Sequence, residues 1–455
     1  MVDRSDSDDR LIGRDEDEER AAAEGVESIP LLPVLRDPST LASANHTLMN
    51  FLRAMIGPGT LSLPIAFKYS GIWTGLVLMF VVAFINTYCM DQLVQCAQYL
   101  CAKSGKLELD YGHLAKKVFD YGPVSWRKHS KKALYSVNII IVLYQLGVCA
   151  VQFVFMGANL NNVIHNYYPN LGLDDKAYIS ILLPATVAVC FIRHLKTLAI
   201  ISTIGNIFML IGFVVIFQQI FHPPNVILAL PAFAKWDTLI MSIGSMLYAI
   251  EGQANILPLE NKMTNPREMR GWNGVLWTGM TITTVIYAAT GFFGYGKYGN
   301  HVQATLTLNM PNTGLFDAVK IVLVLSVYFG VSVQFYVIIE MLWPAILRKL
   351  PISSSYFLAL EYLFRFFVVA VAYAVAMIVP HLELIIPLVG ITVGSIIAFF
   401  LPGLFDLVTF WDDRWNESRA KASFFLVTDV LLMVLGVVSL GLGLYSNTLA
   451  IGKKV

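Results

Sequence analysis

An all-α polytopic membrane protein is the fold class this sequence predicts, on three observations. Of its 455 residues, 56% are hydrophobic and only 14% charged, a balance foreign to soluble domains, and the mean hydropathy is +0.63. Eleven apolar segments can be marked out, against the about 20 residues a helix needs to cross a ~30 Å hydrocarbon core; only the fourth is short. Two of them, the first and the sixth, are broken at mid-length by glycine, proline and polar residues. Broken helices five spans apart point to a five-plus-five inverted repeat with a site between the halves. The eleventh transmembrane helix is then one C-terminal addition to that core.

Taken in order, residues 1–45 carry 12 Asp/Glu against 5 Lys/Arg, a net charge of −7. Without apolar periodicity, this stretch is expected to be a disordered acidic cytoplasmic tail. No basic segment followed by an apolar core opens the chain, so no signal peptide is expected. Within the tail, Glu27 stands four residues before Leu31 and Leu32. That motif resembles the acidic dileucine signal read by clathrin adaptors, which implies endosomal or lysosomal delivery; a chance match in an acidic tail is the alternative.

The transmembrane domain is expected over 46–447, with spans at 47–67, 72–99, 134–163, 178–191, 195–221, 239–259, 274–293, 315–343, 356–379, 384–407 and 424–444. A cytoplasmic N-terminus puts 18 Lys/Arg in the loops on the cytoplasmic side and six on the other, as the positive-inside bias requires. Residues 448–455 then form a short lumenal or extracellular C-terminus. In the long loop from Cys101 to Lys132, residues 111–119 read either as an amphipathic helix on the membrane surface or, preferred slightly, as a solvated basic loop. Cys89, Cys96, Cys101, Cys149 and Cys190 lie in or beside apolar runs at no metal-ligand spacing, and read as packing thiols.

The first break is Gly57-Pro58-Gly59, inside the run from Asn50 to Phe67. Proline lacks the N–H a helix needs, and flanking glycines free the backbone. Hydrocarbon tolerates such a break only where it faces protein or a water-filled cavity; a kink that only shapes packing is the bland alternative. The N–H groups freed over Ile56, Gly57 and Gly59, with Thr60 beside them, suit a substrate carboxylate. The second break is Glu251-Gly252-Gln253-Ala254-Asn255, followed by Pro258. Its freed carbonyls and the Glu251 carboxylate suit an ammonium, and Tyr248 would wall the pocket or simply fill core. An ionisable group inside a span costs about 2.5–3.5 kcal/mol on insertion scales and needs an account. Glu251 is read as functional, with a structural ion pair to Arg53 as the alternative. Asp91, Lys320, Glu340 and Asp429 lie nearer span ends and read as snorkelling or interfacial. Gly390 and Gly394 read as a helix contact.

Gly57-Pro-Gly-Thr-Leu-Ser-Leu-Pro64 and the run from Tyr248 through Glu251-Gly252-Gln253 to Lys262 are similar to signatures of the proton-coupled amino acid transporter family, within the amino acid/auxin permease superfamily. The resemblance covers essentially the whole membrane region. It implies a LeuT-type fold, a cytoplasmic N-terminus, and symport of small neutral amino acids with protons, often at lysosomes. Three departures stand out. Asn50 occupies the position of a family His, with His46 one turn earlier; the family's Gly-Asn-Ile-Gly-Thr-Gly run is Ala54-Met-Ile-Gly-Pro-Gly59; and the lumenal cysteine pair is missing.

The expected function is therefore secondary active transport of small neutral amino acids by alternating access, with protons and the lipid bilayer as its other partners. Glu251 and His46 are the proton-coupling candidates. No nucleophile elbow, metal-ligand pair or phosphate loop is present, so no enzyme activity, metal, cofactor or nucleic-acid partner is expected. The alternatives are a sodium-coupled or uncoupled exchanger, with Ser326 and Ser332 as oxygen ligands for sodium, and an amino acid sensor with slow transport. The membrane is expected to be lysosomal, endosomal or plasma membrane.

Overall fold

The computed structural model describes residues 42–193, 195–347 and 356–452. Glu27, Leu31 and Leu32 lie outside the described residues. Among these the only extended pairing is an isolated bridge between Ala42 and Met263, and everything else regular is helical. Among the described residues, eight helices are long and apolar enough to cross a membrane. They are α3 (Ile72–Ser104), α5 (Ser130–Tyr167), α7 (Leu195–Phe221), α10 (Val275–Tyr298), α11 (Gly314–Leu347), α12 (Phe357–Ile378), α13 (Leu382–Thr409) and α14 (Arg419–Gly452). The remaining apolar segments form shorter pieces: α1 (Ala44–Met55) and α2 (Leu63–Ser70), α6 (Asp175–Cys190), and α8 (Trp236–Ile250) and α9 (Gln253–Asn261). Outward-facing Leu210, Val214, Phe367 and Leu431 are all more than 60% exposed, as lipid-facing side chains would be.

Local chemistry explains the ends of the broken helices. Ser43 caps α1, accepting the N–H of His46 at 3.4 Å. α1 begins at Ala44, so the last residues of the stretch read as tail are already helical. Pro58 opens a 3₁₀ turn over Pro58–Ser62, and Pro64 sits in the first turn of α2, where its missing N–H costs nothing. Gly71 ends α2 at φ 91°. A Cβ there would fall 2.6 Å from the Ala232 carbonyl oxygen, so glycine alone fits this corner.

Packing gathers the broken pieces at the centre. α10 lies along α3 and crosses α1 and α2, while α8 lies against α2 and α13. The crossing of α8 and α13 is glycine-lined: a Cβ on Gly244 would meet the Pro387 carbonyl at 2.6 Å, and one on Gly390 would meet the Tyr248 backbone nitrogen at 2.7 Å. Gly390 is therefore a helix contact. It also opens the first of two π turns in α13, Gly390–Gly394 and Ile396–Phe400, which shift the helical bonding pattern and leave carbonyls for other partners.

Two readings from the sequence need correction. Residues 111–119 are not the solvated loop preferred from the sequence but the alternative, an amphipathic helix. They form α4 (Tyr111–Tyr121), whose apolar face is buried against α5 and α13; the Tyr111 hydroxyl donates to the Ile397 carbonyl at 3.2 Å. Lys320 and Asp429 do not snorkel, both being 0% exposed. Lys320 bonds Asp317, Asn162 and Asn312, and Asp429 bonds Arg414 and Gln92. The helices run past the hydropathy-defined span ends, which places these residues within packed layers rather than at an interface. Asp91 forms a two-pronged pair with Arg270 at 2.8 and 3.2 Å. All five cysteines are free thiols.

Candidate functional site

The two breaks meet. A Cβ on Gly59 would lie 3.1 Å from Ala249 Cα and 3.2 Å from the Tyr248 ring, and one on Gly252 would lie 2.6 Å from Met55 Sδ. The end of α1, the 3₁₀ turn and the α8–α9 junction thus touch directly. Of the sequence-predicted residues, Gly59, Tyr248 and Gly252 are brought together here, with Ile56, Gly57 and Thr60 on the same turn and Glu251 between Tyr248 and Gly252.

The donors at the first break are fewer than the sequence suggests. Ile56 closes the last turn of α1, its N–H donating to the Leu52 carbonyl at 2.9 Å. Gly57 is extended, and its carbonyl accepts the Thr60 N–H at 3.1 Å. Among the described residues, the N–H groups of Gly57 and Gly59 have no backbone partner. A Cβ built on Gly57 meets nothing within 4 Å, so there is open space beside that N–H. The Thr60 hydroxyl oxygen is buried beside the Tyr287 hydroxyl.

At the second break the polarity is the reverse of the sequence expectation. The Glu251 N–H still caps α8, donating to Leu247 at 2.9 Å, and Gly252 starts α9. The Glu251 carboxylate therefore faces the N-terminus of α9, toward the backbone N–H groups of Gln253 and Ala254 and the Tyr144 hydroxyl. The free carbonyls belong instead to the end of α8, and they are taken: Ile250 accepts from Asn86 Nδ2 at 3.0 Å, and Ala249 from the Tyr287 hydroxyl at 3.0 Å. Glu251 Oε1 stays buried with no hydrogen-bond partner among the described residues. Arg53 is exposed and no ion pair joins it to Glu251, so the structural-pair alternative has no support. His46 is exposed in the first turn of α1, ten residues before Ile56, or about 15 Å along a helix; it is not brought to the site.

Sequence reasoning missed the residues that tie the breaks together. The Tyr287 hydroxyl, fully buried on α10, lies 2.5 Å from the Met55 carbonyl as well as 3.0 Å from that of Ala249, so one side chain holds both half-helix ends. Asn86 on α3 also accepts from Gln253 Nε2 at 2.7 Å, and Gln253 donates on to the Ala398 carbonyl in the second π turn at 3.1 Å. A lone Asn amid the apolar residues of α3 is the one signal in the sequence that could have found this link. Ser326 and Ser332 donate to the carbonyls of Gly205 and Phe329 at 2.6 and 2.8 Å.

A family model described as "Transmembrane amino acid transporter protein" matches residues 41–445, which include both breaks and every helix that meets them. The chain belongs to the transmembrane amino acid transporter family. This family is the amino acid/auxin permease family that the two motifs point to. Among relatives of this transporter is "Probable amino acid transporter skat-1" of Caenorhabditis elegans, 35% identical over 422 residues and covering 89% of each chain. Another is "Proton-coupled amino acid transporter-like protein pathetic" of Drosophila melanogaster, 29% identical over 412 residues, covering 90% of this chain and 85% of that one. The family and these relatives are transporters, not enzymes.

Proposed function

We propose that this transporter moves small neutral amino acids together with protons, by alternating access. The observation that carries the reading is the meeting of two interrupted helices around an unpartnered carboxylate oxygen, that of Glu251. Unpaired N–H groups at Gly57 and Gly59, beside open space, suit a carboxylate. The Glu251 oxygen left without a donor suits an ammonium or a proton, since a buried acceptor without a partner is costly. Tyr248 closes the space between them. In this reading the pieces α1 with α2, α6, and α8 with α9 complete eleven spans in the LeuT-type arrangement, with the N-terminus in the cytoplasm and the dileucine of the tail directing it to endolysosomal membranes through a clathrin adaptor. The Drosophila relative's name, a proton-coupled amino acid transporter-like protein, favours protons over sodium.

The test is uptake of single labelled amino acids into proteoliposomes, with and without an inward proton gradient. Accumulation of small neutral amino acids that requires the gradient is expected. Accumulation that follows a sodium gradient at constant pH would replace the proton, and a failure of every amino acid to accumulate would leave slow-transport sensing as the better account.

A further inference from the structure

Away from the helix breaks, α3, α13 and α14 enclose a second set of ionisable groups. Asp406 near the end of α13 and Asp429 on α14 are each 0% exposed. One guanidinium serves both: Arg414, on a short helix over Trp411–Glu417, reaches Asp406 Oδ2 at 2.7 Å and Asp429 Oδ2 at 3.4 Å. Gln92 on α3 spends its amide N–H groups on the same two carboxylates, at 3.1 and 2.7 Å. Cys96 Sγ lies 3.9 Å from Asp406 Oδ1, and the Tyr88 hydroxyl 3.5 Å from Gln92 Nε2. Cys89, on the same helix, lies within electrostatic range of both carboxylates. The Phe425 ring lies over the guanidinium at 4.0 Å and the Phe410 ring at 5.1 Å, leaving the Arg414 side chain 15% exposed. The nearby Tyr99–Asp413 bond, at 2.6 Å, is exposed, and Lys103 donates to the Tyr99 hydroxyl at 3.4 Å.

Charge and hydrogen counts both come out one short. Two carboxylates against one guanidinium leave one uncompensated negative charge in a buried site, a state that proteins avoid by neutralising the group. Among the described residues no second cation bonds either carboxylate. The two carboxyl groups are close neighbours, since Asp406 Oδ2 and Asp429 Oδ1 both touch the single nitrogen Gln92 Nε2, and like charges held that close disfavour ionising together. Gln92, only 3% exposed, leaves Oε1 buried with no partner among the described residues; a site with five acceptor oxygens and an orphan among them lacks a donor.

We propose that Asp406 and Asp429 bind one proton between them, forming a proton site separate from the helix breaks that fastens the C-terminal helix α14 to α3 and α13. The same two helices that frame the pair also reach the second break, through Asn86 six residues before Gln92 and Ala398 eight residues before Asp406. Proton occupancy at the pair therefore bears on the helices that hold Gln253. The proposal does not rest on the transport reading, and its test reads stability rather than uptake.

The experiment is thermal unfolding of the full-length chain in detergent across about pH 6 to about pH 9, for the parent, Asp429→Asn and Asp406→Asn. The folded state holds a proton that free Asp side chains, with pKa of about 3.9, have already lost. The folded chain thus binds more protons, and stability falls as pH rises. The parent is expected to lose about 2–4 °C or more of Tm over this range. Asn at 429, isosteric with a protonated Asp, should flatten that loss and hold its Tm at the alkaline end. A parent slope equal to that of both Asn variants overturns the proposal, as does sodium restoring the parent's Tm at alkaline pH, which would make the site a cation site. Should either variant fail to fold, infrared spectroscopy of the parent decides: a protonated-carboxyl C=O band that vanishes as pH rises is expected, and its absence throughout overturns the shared proton.

Discussion

At the scale of single residues, one hydroxyl has an outsized position. Tyr287 reaches the last carbonyls of two half helices, Met55 and Ala249, from a third helix. Tyr287→Phe keeps the ring and removes the one hydrogen that the two carbonyls share, at about 1–3 kcal/mol for a buried group left unpaired. Thermal unfolding should show the variant less stable, and substrate should protect it less well than the parent; an unchanged Tm together with unchanged protection would remove Tyr287 as the tie. The sequence made the breaks legible but not their ties. Gly57-Pro58-Gly59 and Glu251-Gly252 stand out because local rules forbid them in a continuous apolar helix. Tyr287 is an ordinary aromatic in an apolar run, and only the crossing of α10 over α1 and α2, with the end of α8 beside them, gives its hydroxyl two neighbours. Asp429 and Lys320 were misread for a related reason: hydropathy counts a charge near a span's edge as interfacial, whereas neighbours from distant helices bury both.

At the scale of elements, the two glycines of the first break separate by what surrounds them. Gly59 lies against Ala249 and Tyr248, with about 3.1 Å of clearance for a Cβ, so Gly59→Val must push the 3₁₀ turn away from α8. An overpacked contact of this kind costs typically about 1–3 kcal/mol. Gly57 faces open space and is extended, a conformation valine adopts readily. Gly57→Val is therefore expected to fold with the parent's Tm yet lose protection by substrate, its side chain occupying the space beside the free N–H. If Gly57→Val is protected as well as the parent, the substrate carboxylate does not sit there. A second element, α4, is capped by Asp110, which accepts the His113 N–H at 2.7 Å and contacts the His113 ring at 2.8 Å. Burial pushes this carboxyl up, but the His113 ring and the N–H groups of His113 and Gly112 outweigh it and hold it below its ordinary value of 3.8. A lowered value means the cap contributes fully at neutral pH and is lost as pH falls through it. Asp110→Ala should cost about 1 kcal/mol, visible as faster hydrogen exchange in α4 at neutral pH, with the difference from the parent shrinking in strong acid. α4 also marks a limit of sequence reading. Its helical period and cap were present to be found, but that its apolar face meets α5 and α13 instead of lipid is decided by packing alone.

At the scale of the whole molecule, the account joins an amino acid transporter fold to two separate acidic sites, Glu251 at the breaks and the Asp406–Asp429 pair. Address and transport should separate as well. Leu31→Ala with Leu32→Ala is expected to shift the protein from endolysosomal membranes to the cell surface without changing uptake per molecule, by imaging and by reconstitution; an unchanged distribution would remove the dileucine as the signal. Glu251 is decisive for the proposed coupling, because a proton carried there with a zwitterionic substrate would move net charge across the membrane. The most direct measurement is the substrate-evoked current at acidic and at neutral pH, for the parent and for Glu251→Gln in equal surface amounts. The account predicts an inward current in the parent that grows at acidic pH and falls at least about tenfold in Glu251→Gln, the loss of about 1.4 kcal/mol of differential interaction. A parent that takes up amino acid without current and without pH dependence, or a Glu251→Gln variant carrying the full acid-stimulated current, would contradict it.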